Sequence, residues 1–508
     1  MTSSGAPALT SSFETRLVPY HVPILLALGF LLRVWLIHHY PVIFGGDSIV
    51  RLVNRDKIFL SHQLPLLQAA IHYLGFLSRD VLLVRYFMAA TGAIAGWGFY
   101  LVAAALLGRP AAFVAALFFA THPFLLAYSI VPYQEILMLA GLFFAFYLFF
   151  NEKWLWASVA LGLACFARYE AWTAVPVFVT AFVYQGPGSL RLAAQAVLLF
   201  GWAPLAWMLY HGGLSPAGSY VLDFALPLDR FFRYLYLGWI TVKFTPVPVL
   251  LLAAFGVWRL FGQGLLQSRR YLMLVAFLAI FLIATLFSAH GDQNPPDRFV
   301  SAREAHILDA AALLLAGLGL SRVTRFRLPV IAACLLWGIV AADRFVASET
   351  SESKTRLSYD LALYLDGHVR DGEQAAVLVR PVSANMFDEY LDAATRRGGA
   401  AGRRKALEIL AEIDISPPDF QRTLVHSRAA GQVVSFASPP LAADDQALFR
   451  HLSGVSPAAD PGSPKWIAVW SDFEPSSPAE HQLQQQIAGR QAIEVLRAGA
   501  YSVSIYSQ

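Results

Sequence analysis

The first two thirds of the chain alternate long apolar runs with short polar loops. Runs at 20–39, 82–107, 111–129, 132–150, 191–210, 246–261, 271–288, 305–320 and 328–345 reach or approach the roughly 20 residues that a bilayer-crossing helix needs. The stretch 154–184 is too long for one comfortable span and is interrupted by Arg168-Tyr169-Glu170. Charges deep in a bilayer are costly, so the triplet is expected at a membrane surface, joining two short helices. The pattern predicts a polytopic α-helical membrane protein with about eleven transmembrane helices.

From residue 347 the pattern changes. Leu357, Leu361, Tyr364 and Leu365 share one face of a helix predicted over 351–369. Short strand-like runs follow at 375–379, 465–470, 493–496 and 501–506, separated by polar helical patterns. The stretch Ser416-Pro417-Pro418 and the segment 457–464 mark loops. The expected organisation is a transmembrane domain over 1–346, with outer loops at 41–80, 211–245 and 289–304. A C-terminal soluble α/β domain follows over 347–508, long enough for its own core.

Composition agrees with this division. The 508 residues are 57% hydrophobic and only 14% charged, with a mean hydropathy of +0.53. A soluble domain carries roughly 25% charged residues. The net charge of +4 comes from scattered basic residues, which argues against nucleic acid as a partner. Cys165 and Cys334 lie in apolar runs without His or Cys neighbours at ligand spacing, so both are expected to pack rather than to bridge or bind metal. Arg16 precedes the first apolar run and no small-residue cleavage site follows; that run is expected to stay as an anchor.

Orientation follows from the basic residues. Arg16, Arg109, Lys153, Arg191, Arg259, Arg269, Arg270, Arg322, Arg325 and Arg327 fall in one alternating set of short loops. The other set carries its basic residues over about twice the length, which predicts a cytoplasmic N-terminus. An odd number of spans then puts the C-terminal domain outside, periplasmic in a bacterium, with the chain in the inner membrane. On this topology Asp47, Asp56, Asp80, Glu135, Glu170, Asp223, Asp229, Asp292, Asp297 and Glu304 all gather on the outer side. Transporters more often keep ionisable residues near mid-bilayer. Acids clustered at one face favour an enzyme working at the outer membrane surface.

Several positions carry alternative readings. Asp47 follows Gly45-Gly46, whose turn can aim it at the bilayer surface; it equally suits the start of an interfacial helix. The segments 41–80 and 229–236 read as interfacial helices with apolar faces down. Glu135 follows Pro132-Tyr133-Gln134 and suits either a helix N-terminus or the second acid of a site. Two such carboxylates can divide the work of general base and of orienting substrate or a divalent ion. Arg298 and Arg303 stand at the lipid–water boundary, either snorkelling beside Asp297 and Glu304 or recognising a phosphate, with Lys243 able to join them. Arg33, inside the first run, is expected to be structural.

The ordered set of these features resembles the membrane-embedded GT-C glycosyltransferases, in particular bacterial relatives of the protein O-mannosyltransferases and of the lipid A aminoarabinose transferase. The residues that carry the likeness are Gly45-Gly46-Asp47-Ser48, the His62-Gln63-Leu64-Pro65-Leu66-Leu67 stretch, Glu135, Ala167-Arg168-Tyr169-Glu170 and Pro296-Asp297-Arg298-Phe299. It covers about residues 15–345. Many relatives carry paired acids where this chain has Asp47-Ser48 and Gln134-Glu135; a divalent cation such as Mg or Mn is therefore not required by the sequence. The resemblance implies transfer of a sugar from a polyprenyl-phosphate donor to a lipid, glycan or protein acceptor outside the cytoplasm. It implies Asp47 as the base of an inverting single displacement. Glu135, Arg168 and Glu170 would shape the substrate site, and Lys243, Arg298 and Arg303 would steady the departing lipid phosphate. A transporter or flippase of lipid-linked saccharides is the rival reading; a scaffold whose outer domain binds a partner is a third.

Overall fold

The computed structural model describes residues 18–60, 63–185, 190–211, 231–287, 305–321, 327–380, 384–412, 417–428, 432–435, 441, 445, 448, 464–475 and 477–507. The apolar runs form helices that pack into one bundle. They are α1 (His21–His39), α4 (Val81–Leu107), α5 (Arg109–Thr121), α7 (Gln134–Phe150), α8 (Trp154–Ala167), α9 (Ala174–Val183), α10 (Leu190–His211), α12 (Val247–Gly262), α13 (Arg269–Phe287), α14 (His306–Leu320) and α15 (Arg327–Thr350). Among the described residues, four helices are long and apolar enough to cross a membrane: those at His21–His39, Val81–Leu107, Leu190–Tyr210 and Leu328–Thr350. Seven apolar helices are shorter. The outer surfaces of the long helices carry Leu31, Trp35, Leu198, Leu209, Leu336 and Trp337, all well exposed, as a lipid-facing wall requires.

Two breaks shape the bundle. Between α8 and α9 the chain leaves the helix at Arg168 and turns through a short 3-10 segment, Tyr169–Thr173. The long run at 154–184 is thus divided at the predicted triplet. The run at 111–129 differs from the continuous span expected of it. It stops at His122 and restarts as α6 (Pro123–Ala127), because Pro123 has no N–H to continue the ladder and crowds the preceding turn. Helices α12 and α14 approach closely through glycine. A Cβ at Gly256 would meet the Leu315 carbonyl oxygen at 2.0 Å, and one at Gly319 the Leu252 oxygen at 2.1 Å, the small-residue contact typical of helices in lipid.

One end of the bundle is closed by arginine. Arg270 donates to the carbonyls of Ala105 and Phe150, Arg269 to that of Ala181 and Arg259 to that of Leu318. Each of those carbonyls belongs to the last turn of a helix. These are the acceptors a helix leaves unsatisfied, at the negative end of its dipole. At the other end lie α2 (Gly46–Val53), α3 (Pro65–Leu77) and α11 (Phe231–Phe244). The acids read as outer residues that the structure describes, Asp47, Asp56, Asp80, Glu135 and Glu170, are at this end. Asp223, Asp229, Asp292, Asp297 and Glu304 lie outside the described residues.

The C-terminal third builds a five-stranded sheet of order β2-β1-β3-β5-β4. Its strands are β1 (Ala375–Leu378), β2 (Val433–Val434), β3 (Trp466–Trp470), β4 (Glu494–Ala498) and β5 (Tyr501–Ser507). Strand β1 pairs in parallel with β2 and β3, and β5 runs antiparallel to β3 and β4. Alternation places Ala375 and Val377 on one face, packed with Leu357, Leu361 and Leu365 of α16 (Ser353–His368). Ala376 and Leu378 face Leu483 and Ile487 of a second helix, Pro478–Ile487. Helix α15 runs on to Thr350, so the boundary expected at 347 falls in its last turn. Helix α17 (Ala384–Glu412) follows β1, and helix α18 (Pro418–His426) packs on α16, shares the sheet's buried core through Phe420 and also touches α2. It ties the C-terminal third to the segment that carries Asp47.

Candidate functional site

The segment that carries Asp47 is built on a buried arginine. Arg85, in the first turns of α4, donates to the carbonyls of Tyr40 and Pro41 at 2.9 Å and of Ile130 at 3.0 Å. One side chain thus holds both the segment leading to Asp47 and the segment leading to Glu135. Backbone carbonyls buried near lipid need such donors. Tyr40 adds a bond from its hydroxyl to Asp343 on α15, 2.8 Å.

Asp47 lies in the first turn of α2, exposed. The residue at the helix N-cap is Gly45, at φ +84°. That conformation favours glycine, and packing demands it too. A Cβ on Gly45 would fall 1.9 Å from the Tyr133 hydroxyl. The Asp47 turn is therefore pressed against Tyr133, which is the N-cap of α7 and two residues from Glu135. Both acids sit in first turns, at the positive ends of their helix dipoles.

Glu135 is almost fully buried and Arg168 reaches it. The Arg168 Nε donates to both carboxylate oxygens of Glu170 at 2.9 Å, and its Nη2 also contacts Glu170. Thr173 donates to the Glu170 carbonyl at 2.6 Å, holding the turn. One guanidinium between two carboxylates leaves one net negative charge in a largely buried setting. Glu135 occupies the helix start, and its carboxylate faces Arg168. Lys243 ends α11 exposed, its Nζ 5.2 Å from the centroid of Phe244. Phe244 packs on Phe124, Phe124 on Tyr128, and Tyr128 on Tyr133. An aromatic chain thus links the Lys243 helix to the Asp47 turn. Arg298 and Arg303 lie outside the described residues, as do Ser61 and His62.

Among the described residues, no three His, Cys, Asp or Glu side chains converge as a metal site would require. Cys165 and Cys334 are buried and unbridged. Arg33 donates to Ser129 at 2.5 Å and to the Gly29 carbonyl at 2.7 Å, a structural tie between α1 and the segment before α7. The sequence reading missed three residues that shape the site: Arg85, Tyr133 and His426. Arg85 had a signal, a charge within an apolar run. His426 had none. It ends α18, and its Nε2 accepts the Ile43 backbone N–H at 3.2 Å, four residues before Asp47. Burial first, and then the charge of Arg85, hold its pKa down at about 3, so His426 stays a neutral acceptor at ordinary pH.

No family model matches the sequence, and no curated protein matches it. Solved structures similar to the chain include ArnT from Cupriavidus metallidurans bound to undecaprenyl phosphate. It is 12% identical over 97% of this chain and 98% of that one, with a TM-score of 0.49. The apo state of the same protein is 13% identical over the same shares, with a TM-score of 0.48. The oligosaccharyltransferase of Archaeoglobus fulgidus, in complex with Zn and sulfate, is 14% identical over 88% of this chain and 67% of its own, with a TM-score of 0.46.

Proposed function

We propose that this chain is a membrane glycosyltransferase that moves a sugar from a polyprenyl-phosphate donor to an acceptor at the outer face of the inner membrane. The observation that carries the reading is the seat of Gly45 against Tyr133. It joins the Asp47 turn to the Glu135–Arg168–Glu170 cluster, so loops distant in sequence that the GT-C resemblance names together meet at one end of the bundle. In this reading the bundle crosses the membrane eleven times and the C-terminal α/β domain is periplasmic.

The chemistry is an inverting single displacement. The acceptor's oxygen or nitrogen forms a bond to the anomeric carbon as the bond from that carbon to the phosphate oxygen breaks. The acceptor's proton passes to the Asp47 carboxylate, and the electron pair leaves with the lipid phosphate. Lys243, with Arg298 and Arg303 of the 289–304 loop, would neutralise that phosphate. The net negative charge of the Glu135–Arg168–Glu170 cluster would orient the sugar's hydroxyls and favour positive charge at the anomeric carbon. The donor's tail holds the reaction at the bilayer surface, where Asp47 lies.

The transporter reading needs a polar path through the bilayer. Arg33, Arg85, His122 and Asp309 are buried polar groups, but all lie towards the Asp47 end of their helices. Deeper in the bundle the cavity between α4, α7, α13 and α14 is lined by apolar residues such as Leu142, Phe146, Leu274, Phe277 and Leu314. The deciding experiment incubates the purified full chain with a panel of polyprenyl-phosphate sugars and follows free polyprenyl phosphate. Acceptor-dependent release is expected. Labelled donor crossing reconstituted vesicles, without release from any donor, would overturn the reading in favour of transport.

A further inference from the structure

A second polar feature lies beside the Asp47 loop and has no part in the proposed transfer. Where α18 and α16 meet the outer loop, a cleft of about 710 Å³ opens between the two regions of the chain. Three arginines line it: Arg55 after α2, Arg79 before α4 and Arg428 after α18. None of the three forms an ion pair among the described residues. Arg55 donates to the Arg79 carbonyl at 2.9 Å, which holds the two residues side by side. Burial, and then the charge of Arg79, lower the pKa of Arg55 from its ordinary value, with Asp56 acting the other way.

Two acids, Asp80 and Asp366, line the same cleft, and both accept backbone N–H groups. Asp80 accepts the Leu82 N–H at 2.9 Å and caps α4. Asp366 accepts the Ser427 hydroxyl at 2.7 Å and the Arg428 N–H at 2.8 Å. The cleft therefore presents guanidinium groups in excess of carboxylates, with like charges brought together. An anion with several acceptor oxygens relieves that repulsion and matches the planar fork of arginine.

The surroundings point to where such an anion comes from. The end of α3 leads into Ser78, at the rim of the cleft, and its Tyr73, Phe76 and Leu77 are 61%, 74% and 78% exposed. The opposite face of that helix buries Leu67 and Ile71. Leu363 on the cleft wall is 51% exposed. An aromatic and aliphatic edge beside a cationic cleft, at the end of the bundle where α4 begins, suits acyl chains next to a headgroup.

We propose that this cleft binds a phosphate group, presented by an anionic phospholipid of the surrounding bilayer. The site uses neither Asp47 nor the Glu135 cluster, so it stands or falls apart from the transferase reading. The test takes the full chain into nanodiscs of phosphatidylcholine, with and without phosphatidylglycerol, and counts retained lipids by native mass spectrometry. A parallel titration with inorganic phosphate follows thermal stability in detergent. Wild type should retain phosphatidylglycerol in preference to phosphatidylcholine. Arg79→Gln and Arg428→Gln should each weaken retention by about tenfold, the loss expected for a charge-assisted hydrogen bond. Arg428→Lys should fall between, since it keeps the charge and loses the fork. Both residues are exposed, and unchanged thermal midpoints in the variants would show that folding is intact. Stabilisation by inorganic phosphate, lost in the same variants, would support the site and assign it to soluble phosphate if lipid retention is equal for the two headgroups. Equal retention together with no response to phosphate would overturn the proposal.

Discussion

Asp47 and Glu135 both occupy the first turn of a helix at the same end of the bundle, yet Asp47 is exposed and Glu135 is enclosed against Arg168. Both stand at the positive end of a helix dipole. What separates them is burial. Glu135 shares one guanidinium with Glu170, and the three side chains form a nearly dry network. Removing one member of such a network leaves buried charges unmatched. Asp47 stands where an incoming hydroxyl or amide can reach it. In the proposed transfer the exposed acid would do the chemistry and the enclosed one would hold the architecture, with Tyr133 pressed between their two turns.

The largest expected effect is on the exposed acid. Asp47→Asn should lower the rate of lipid-phosphate release by roughly two to four orders of magnitude, the usual weight of a general base. Its thermal midpoint should stay close to wild type, because an exposed residue in a first turn contributes little to stability. Full activity in that variant would remove Asp47 from the mechanism. Arg168→Met should do the opposite, striking stability first. It removes the guanidinium that Glu135 and Glu170 share, at a cost of about 3–5 kcal/mol, read as a fall in thermal midpoint in detergent. Adding Glu135→Gln to that variant should restore part of the loss. If Arg168→Met instead left the midpoint unchanged, the network would not be structural.

The helical blocks were legible because a bilayer demands long uninterrupted apolar runs, and the break at Arg168-Tyr169-Glu170 was legible because charge does not belong inside one. The strands of the last third showed themselves by alternation, apart from β2, whose two residues Val433–Val434 are too short to carry a period. Asp47, Glu135, Arg168 and Glu170 could be picked out as candidates by residue type and loop position. Their meeting could not be read locally. It depends on a hydroxyl at 133 facing a glycine at 45, and on one arginine at 85 satisfying carbonyls from 40 to 130. Backbone acceptors have no signature in sequence. His426 is further still, 383 residues from the amide it accepts.

Moving the two acids apart tests whether their contact matters. Gly45→Ala places a methyl group 1.9 Å from the Tyr133 hydroxyl at a φ of +84°, and strain of about 1–3 kcal/mol should follow. Tyr133→Phe in the same chain relieves the clash with the hydroxyl and leaves the backbone strain. Activity should fall further than stability in Gly45→Ala, through kcat rather than KM, and recover partly in the double variant. A parallel fall in thermal midpoint and rate, without recovery, would mean that the contact serves folding alone.

The smallest effect concerns the tie between the C-terminal third and the exposed acid. His426 accepts the Ile43 N–H as a neutral ring, beside Arg85 and edge-on to Tyr359 at 5.0 Å. Docking lowers its pKa from 6.5 to about 3, so the undocked form takes up a proton first. The tie is therefore fully present above about 6.5 and weakens as pH falls towards 3, by up to about tenfold per unit. Hydrogen exchange at the Ile43 amide should show protection that is constant above neutrality and declines with acid, after correction for the intrinsic exchange rate. In His426→Gln, whose side-chain oxygen can still accept, protection should be lower and independent of pH over that range. In His426→Leu it should be lost while the helices of the bundle stay protected. Protection at Ile43 that ignores pH in the wild type would show that α18 does not hold the Asp47 loop through this ring, and would leave Arg85 and Tyr133 as the contacts to test next.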